Sequence, residues 1–177
     1  LWTEERVTHC GENFFYVEAS IEPKPVQNPL PIWIGGSSRA AIRRTARVGH
    51  GWMGGLQTPE DVGTVVAAIR DEACVIGRSI ADDHYGAAFA FRFGDWDDQP
   101  VNQHIANLAR RFGHSDPRQL VAIGSDKTII ERIDQFRAAG VSKFILRPIA
   151  FRDDDIYKQT QRLIETVLPV FHTGPTS

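Results

Sequence analysis

The segment PIWIGGSS at residues 31–38 combines residue types that suit the binding of an anion. Its apolar residues predict a short buried strand that ends at Gly35 and Gly36, and Ser37 or Ser38 then caps a helix. Glycines let a ligand approach the backbone closely, and the first N–H groups of a helix are unpaired at the positive end of its dipole. The segment therefore predicts a phosphate site, although the same residues also suit an ordinary strand-to-helix turn that binds nothing.

A second glycine-rich strand end, GWMGG, occupies residues 51–55. If the two strands are neighbours in a parallel sheet, Met53 and Gly54 open onto the same edge as Gly35 and Gly36. Ligands of α/β proteins bind at this edge, where the carboxyl ends of the strands meet. The pair of strand ends favours a pocket for a phosphate-bearing cofactor.

Other polar residues offer weaker candidates, and no pair of carboxylates and no His–Asp couple stands out. His50 precedes the second strand, at the end that serves stability in βα barrels. Arg147 ends a later strand, where it either points into a site or pairs with a carboxylate. Asp153–Asp155 predict a helix N-terminus, where negative charge is favourable. Three arginines at helical spacing predict a solvated helix face, with contact to an acidic ligand as the alternative: Arg39, Arg43 and Arg47.

Strands and helices alternate along the chain, which indicates parallel strands joined by helical crossovers. Four strands are predicted near residues 32–34, 51–53, 87–92 and 143–147, and residues 120–124 form a fifth, short strand or a turn. The tryptophans of the first two strands are assigned to the core. A complete eight-stranded βα barrel takes about 250 residues, so the 177 residues of this chain hold about half of one. A small doubly wound sheet is the alternative.

Residues 1–177 are therefore interpreted as one partial domain, the C-terminal half of a (β/α)8 barrel. Within it, residues 1–30 predict a hairpin followed by a proline-rich connector, and residues 172–177 predict a frayed tail. The chain starts at Leu1 in what resembles the end of a helix, so we expect an N-terminal part to precede it.

Caps and breakers set the expected bounds of the helices. Thr58 predicts the start of a helix that extends over residues 58–79, and Gly113 predicts the end of a later one. A further helix is expected between Ser125 and Gly140.

Composition excludes several classes of function. The formal net charge is −2, which does not favour binding to nucleic acid. No apolar run approaches the roughly 18 residues of a membrane span. Cys10 and Cys74 are the two cysteines, and they form neither a disulfide framework nor a zinc-ligand pattern, which fits a reducing cytoplasm. Neither nucleic acid nor a membrane is therefore expected as a partner.

Several segments together resemble the luciferase-like monooxygenase superfamily, especially its coenzyme F420-dependent oxidoreductases. They occur in family order and extend from the first residue to about residue 171: LWTEERVTHCGENFFYVE, PKPVQNPLPIWIGGSSRAAIRRTARVGHGWMGG, GSDKTIIERIDQFRAAGVSKFILRP and LIETVLPVF. One departure is His50, where the family usually has Asp.

The resemblance implies a βα barrel that binds flavin or deazaflavin at the carboxyl ends of its strands. Residues 31–36 match the fifth strand, 51–52 the sixth and 143–147 the eighth. The resemblance further implies cofactor-binding residues, namely Gly35, Gly36 and Ser37 at the phosphate, with Met53 and Gly54 alongside. The ring-binding and acid/base groups of the family lie on earlier strands, so the catalytic residues of this protein are unknown.

The implied activity is hydride transfer between coenzyme F420 and an organic substrate. An FMN-dependent monooxygenase is the nearest alternative. A third interpretation is a half-barrel that is not catalytic and binds a ligand or a partner. Because half a barrel has two open sheet edges, we expect a homodimer or another form of self-association.

Overall fold

The computed structural model describes residues 1–112 and 116–171. The chain divides into two compact units, of which the first spans Leu1–Ile32 and the second begins at Trp33. The helix end predicted at Gly113 and the tail predicted at residues 172–177 lie outside the described residues.

The first unit contains the predicted hairpin. Strands β1 (Val7–Cys10) and β2 (Phe15–Ala19) pair antiparallel, and the N–H of Gly11 donates to the carbonyl of Phe14 across the turn at 2.9 Å. No helix or strand forms in residues 20–32, as the prolines there predict. The Lys24 ammonium donates to the carbonyl of Glu4 at 2.9 Å and so ties this connector to the start of the chain.

The second unit is built on a five-stranded sheet in which every pairing is parallel. Its strands include the predicted short fifth one: β3 (Trp33–Gly35), β4 (Gly51–Leu56), β5 (Tyr85–Phe93), β6 (Val121–Gly124) and β7 (Lys143–Pro148). Gly86 of β5 opposes both Met53 and Lys143, so β4 and β7 lie on opposite edges of β5. Ala90 of β5 likewise opposes β6 on one side and β7 on the other. Strand β6 therefore pairs with the same edge of β5 as β4 does, but nearer to the carboxyl end of β5.

A helix follows each of these strands, which confirms the predicted α/β alternation. The helices are α1 (Arg39–Val48), α2 (Pro59–Val75), α3 (Gln99–Phe112), α4 (Asp126–Ala138) and α5 (Asp153–Arg162), the last continued by a π-helical turn (Leu163–Val167) and α6 (Leu168–Phe171). Short 3₁₀ turns precede β5 and β6, at Asp82–His84 and Pro117–Leu120. Over the described residues, no helix has the length and apolar character needed to cross a membrane.

Helix α2 is shorter than predicted. Its start is as expected, because the Thr58 hydroxyl accepts from the N–H of Asp61 and the Asp61 carboxylate accepts in return. It ends at Val75 and not at residue 79 because Gly77 adopts a left-handed conformation with φ +69°. The N–H groups of Gly77 and Arg78 then bond back to the last turn, which closes the helix in a Schellman motif.

The two faces of the sheet pack differently. On one face, large side chains such as Trp52, Phe89 and Phe91 form the main core with helices α2 and α4. We call the opposite face the inner face; it carries Gly86, Ala88, Ala90 and Arg92 of β5. Helix α3 covers the carboxyl-end part of the inner face around Ala90, through a smaller cluster with Val101 and Leu108.

Gly63 in α2 offers a test of the helix layer. An added Cβ would lie 3.5 Å from the Cβ of Ala139, which is ordinary contact. Because glycine weakens a helix interior, Gly63→Ala is expected to raise the free energy of unfolding by roughly 0.5–1 kcal/mol, measured by urea denaturation. Gly140→Ala is the matched control and should destabilise, since Gly140 has φ +90°. A loss of stability in Gly63→Ala would contradict the packing described here.

Candidate functional site

The predicted turn lies at the carboxyl end of β3. The strand ends at Gly35, Gly36 has φ +96°, and α1 starts at Arg39. The Ser38 hydroxyl caps the helix by accepting from the N–H of Ala41 at 3.2 Å. The left-handed conformation of Gly36 explains why glycine stands there. The N-terminus of α1 therefore follows directly on the strand end, as the sequence predicts.

A buried tryptophan sets the direction of the peptide in this turn. The indole Nε1–H of Trp52 donates to the carbonyl oxygen of Gly36 at 2.9 Å, and the Trp52 side chain is fully buried. The C=O and N–H groups of a trans peptide point in opposite directions. The N–H of Ser37 therefore points away from the core. The sequence assigned Trp52 to packing alone, although the need of a buried indole N–H for an acceptor was an available signal.

The turn presents open donors. Gly35, Gly36 and Ser37 are all exposed, and so is Arg39 in the first turn of α1. A Cβ on Gly35 would lie 3.6 Å from its nearest neighbour, the carbonyl oxygen of Met53. An outward N–H, a helix N-terminus and space above the glycines are the features of a phosphate site, so the residues present fit a phosphate-bearing cofactor.

Strand β4 lies beside β3, as the sequence predicts, with Met53 opposite Gly35. The Met53 side chain extends over the inner face to β5. Its Cε lies 2.5 Å from the position that a Cβ on residue 86 would take, so the absence of a side chain on Gly86 leaves room for Met53. Gly54 is buried, and a Cβ there would approach the Trp52 ring to 2.8 Å. Contact of Met53 and Gly54 with a cofactor stays a prediction, as does that of Gly35, Gly36 and Ser37.

The arginines of α1 form the predicted solvated face. Arg39, Arg43 and Arg47 are exposed, and Arg43 lies 3.6 Å from a carboxylate oxygen of Glu72. His50 precedes β4 at its amino end, away from the turn.

An ion-pair cluster that the sequence did not predict lies at the carboxyl end of β5. Arg92, whose side chain is 14% exposed, donates to carboxylate oxygens of Asp98 and Asp155, each at 2.7 Å. It also donates to the carbonyl of Ile149 at 2.8 Å. The cluster joins the segments after β5 and β7 to the start of α5. Asp155 lies in the first turn of α5, as predicted, and its carboxylate also binds Arg92, which the sequence did not predict.

These contacts shift the ionisation of the cluster. Burial works against the charge of Arg92, but the hydrogen bonds to Asp98 and Asp155 outweigh it and raise the pKa of the guanidinium. The hydrogen bond from Arg92 lowers the pKa of the Asp98 carboxyl. Arg92 and Asp98 are therefore both charged at neutral pH. Within the described ranges, no group of three or more His, Cys, Asp or Glu residues is arranged to hold a metal ion.

The family model described as luciferase-like monooxygenase matches residues 1–116 of the chain, about two thirds of its length. This chain belongs to the luciferase-like monooxygenase family. The match includes the β3–α1 turn and all of β4, so the candidate phosphate site lies in the part of the chain that carries the family pattern.

Relatives of this luciferase-like chain include enzymes of both cofactor types. It is 37% identical over 82 residues to the F420-dependent glucose-6-phosphate dehydrogenase of Nakamurella multipartita. This matched segment covers 45% of this chain and 24% of that protein. It is 31% identical over 81 residues to the FMNH2-dependent dimethylsulfone monooxygenase of Pseudomonas putida. This matched segment covers 45% of this chain and 22% of that protein. The matched segments thus span less than a quarter of these relatives.

A solved structure of an F420-dependent secondary alcohol dehydrogenase, in complex with an F420-acetone adduct, has the same fold. It aligns with a TM-score of 0.72 at 14% identity over 94% of this chain, and the chain spans 58% of it. The five βα units therefore correspond to about half of a luciferase-like βα barrel. This confirms the half-barrel prediction and rejects the doubly wound alternative.

Proposed function

We propose that the protein is an F420-dependent oxidoreductase that transfers a hydride between coenzyme F420 and a small organic substrate. The observation that carries the proposal is the peptide between Gly36 and Ser37, which Trp52 holds with its N–H outward at the N-terminus of α1. In this proposal Gly35, Gly36 and Ser37 bind the cofactor phosphate, with Met53 and Gly54 alongside. Coenzyme F420 supplies the hydride chemistry when bound, and this chain supplies binding and orientation.

An FMN-dependent monooxygenase is the second candidate. A phosphate site of this kind serves either cofactor, and the relative in Pseudomonas putida depends on FMNH2. Titration of the purified protein with each cofactor separates the two candidates. Tight binding of FMN without binding of F420 would reject the F420 proposal in favour of the monooxygenase.

Gly35→Val tests the phosphate site. Gly35 lacks the positive φ of Gly36, and valine suits a strand, so the fold should tolerate the change. The branched side chain would stand where the phosphate approaches. Losing a charge-assisted hydrogen bond costs about 1.5–3 kcal/mol, so cofactor affinity should fall at least about tenfold, as measured by fluorescence titration.

Gly35→Ala provides a graded comparison, because its smaller side chain should weaken binding less. Thermal unfolding of both variants is the control for folding. Unchanged cofactor affinity in stable Gly35→Val protein would show that the glycines serve only the turn.

Self-association is the proposed assembly of this chain when it is expressed alone. Among the described strands, β3 pairs only with β4, and β6 and β7 each pair only with β5, so the sheet has open edges. Two copies would close these edges against each other. Sedimentation of the purified chain tests this, and a stable monomer would reject it. A location in the cytoplasm remains a prediction.

A further inference from the structure

The indole ring of Trp52 leans along the sheet to reach the β3–α1 turn. In the parallel pairing of β3 with β4, Trp52 opposes Ile34, which lies two residues before Gly36. Its Nε1–H nevertheless donates to the carbonyl of Gly36 at 2.9 Å, so the ring points toward the carboxyl end of the sheet. The side chain is fully buried in the main core, and close packing there restricts the ring to this orientation.

The missing side chain at residue 54 leaves room for the ring in this orientation. A Cβ on Gly54 would lie 2.8 Å from Cη2 and 3.2 Å from Cζ3 of Trp52, and 3.4 Å from the carbonyl oxygen of Gly86. Carbon atoms in good contact lie about 3.5–4.0 Å apart, so a larger residue would displace the ring. Gly54 does not have a positive φ, so its backbone conformation does not require glycine. The position of the Trp52 ring therefore explains this glycine.

The bond from Trp52 controls the direction of the neighbouring N–H group. The carbonyl of Gly36 and the N–H of Ser37 belong to one trans peptide, so a carbonyl held toward the core keeps the N–H outward. Without the indole donor, the carbonyl would turn toward water, because an unpaired polar group at a buried position is costly. The N–H of Ser37 would turn with it, away from an anion bound at the turn.

We propose that Trp52 and Gly54 are positioning residues of the phosphate site. Gly54 leaves room for the Trp52 ring, and the ring directs the N–H of Ser37 at the bound anion. Both residues are buried, so they act on the anion through the turn and not by contact. A donor that is held in place before the ligand arrives lowers the entropy cost of binding. This inference rests on the proposed function, and it gives the second glycine-rich strand end a role in binding the phosphate.

The test uses Trp52→Phe, which removes the donor, and Gly54→Ala, which displaces the ring. In ¹⁵N-labelled protein, the residual dipolar coupling of the Ser37 N–H reports the direction of this bond without any ligand, and both variants should change it. The proteins are then titrated with inorganic phosphate, followed at the Ser37 amide signal, and with F420 and FMN. Affinity for phosphate and cofactor should fall about tenfold, because a charge-assisted hydrogen bond is lost. If one variant does not fold, the other decides.

Two matched controls separate positioning from packing. Gly55→Ala adds the same methyl group one residue along β4, where a Cβ would have open space around it, so the Ser37 coupling and the phosphate affinity should stay unchanged. Phe89→Leu reduces packing in the same core as Trp52, but Phe89 stacks on Phe136 of α4 with ring centroids 5.4 Å apart. It should lower the thermal stability and leave phosphate and cofactor affinity unchanged.

Each outcome bears on one of the two proposals. Full affinity in folded Trp52→Phe and Gly54→Ala, or an equal loss of affinity in Phe89→Leu, would overturn the positioning roles. If the unchanged protein binds a cofactor without a shift of the Ser37 signal, the positioning proposal fails alone. If it binds inorganic phosphate at Ser37 but neither F420 nor FMN, the proposed function fails, and the phosphate titration of the variants decides the positioning roles. Binding of none of the three would reject both.

Discussion

Replacement of Arg92 by methionine is expected to lower the free energy of unfolding by about 3 kcal/mol. The guanidinium holds two carboxylates, Asp98 and Asp155, at 2.7 Å each, and methionine would leave both without their partner. The carbonyl of Ile149 would also lose its donor. Because Arg92 is largely buried, water replaces these bonds poorly, which makes the loss larger than for a surface ion pair.

Urea denaturation of Arg92→Met measures this loss. Arg152→Met is the matched control, since the Arg152 side chain is 77% exposed, water screens its bond to Asp154, and its loss should therefore lower stability much less. Equal losses of unfolding free energy in the two variants would show that the Arg92 cluster stabilises the protein no more than a surface ion pair does.

The same comparison has a pH dependence of known sign. Arg92 lowers the pKa of the Asp98 carboxyl in the folded protein. A depressed pKa contributes stability above the unfolded-state pKa of about 3.9 and loses it as pH falls through the folded-state pKa. The difference in stability between unchanged protein and Arg92→Met should therefore shrink as the pH is lowered from 6 to below about 4.

Gln159→Leu is expected to cost about 2–4 kcal/mol of unfolding free energy. The Gln159 side chain is buried, and its Oε1 accepts from the N–H of Phe93 at 2.7 Å while its Nε2 donates to the carbonyl of Phe93 at 3.1 Å. Leucine fills a similar volume but leaves both backbone groups of Phe93 without partners. The result would be two unsatisfied polar groups at the point where α5 packs on the end of β5.

Chemical denaturation of Gln159→Leu should be compared with Gln161→Leu. Gln161 makes its hydrogen bond to Glu165 at the surface, so its replacement should change stability by no more than about 0.5 kcal/mol. A similar small change at Gln159 would mean that water satisfies Phe93 in the variant.

The turn and the alternation of strands and helices were predictable because their signals are local. The glycines, the serine cap and the apolar run of residues 31–38 lie next to one another, and the alternation of strands and helices needs only short windows. The overextension of α2 has a local cause as well: the sequence interpretation gave no weight to Gly77, whose left-handed conformation ends the helix.

The side-chain contacts at the carboxyl end of the sheet were not predictable, because they join positions that are distant in the sequence. Arg92 and Asp155 are 63 residues apart, and the bond from Trp52 to Gly36 spans 16 residues. Nothing in the sequence around Arg92 distinguishes it from a surface arginine until the fold brings Asp155 to it. The sequence likewise does not distinguish coenzyme F420 from FMN as the cofactor, because relatives that use either one are similar to this chain to a comparable degree.

The pairing of β5 with β6 has an evolutionary consequence. The chain leaves β5 after Phe93 and returns at Val121, and the two strands lie side by side, with Phe93 opposite Gly124. The excursion that carries α3 thus starts and ends on neighbouring strands, so selection can lengthen, shorten or exchange it without breaking another strand pairing. Because the glycine turn lies on β3, such an exchange leaves it untouched. Divergence in this excursion can therefore proceed in related chains while they inherit the β3–α1 turn unchanged.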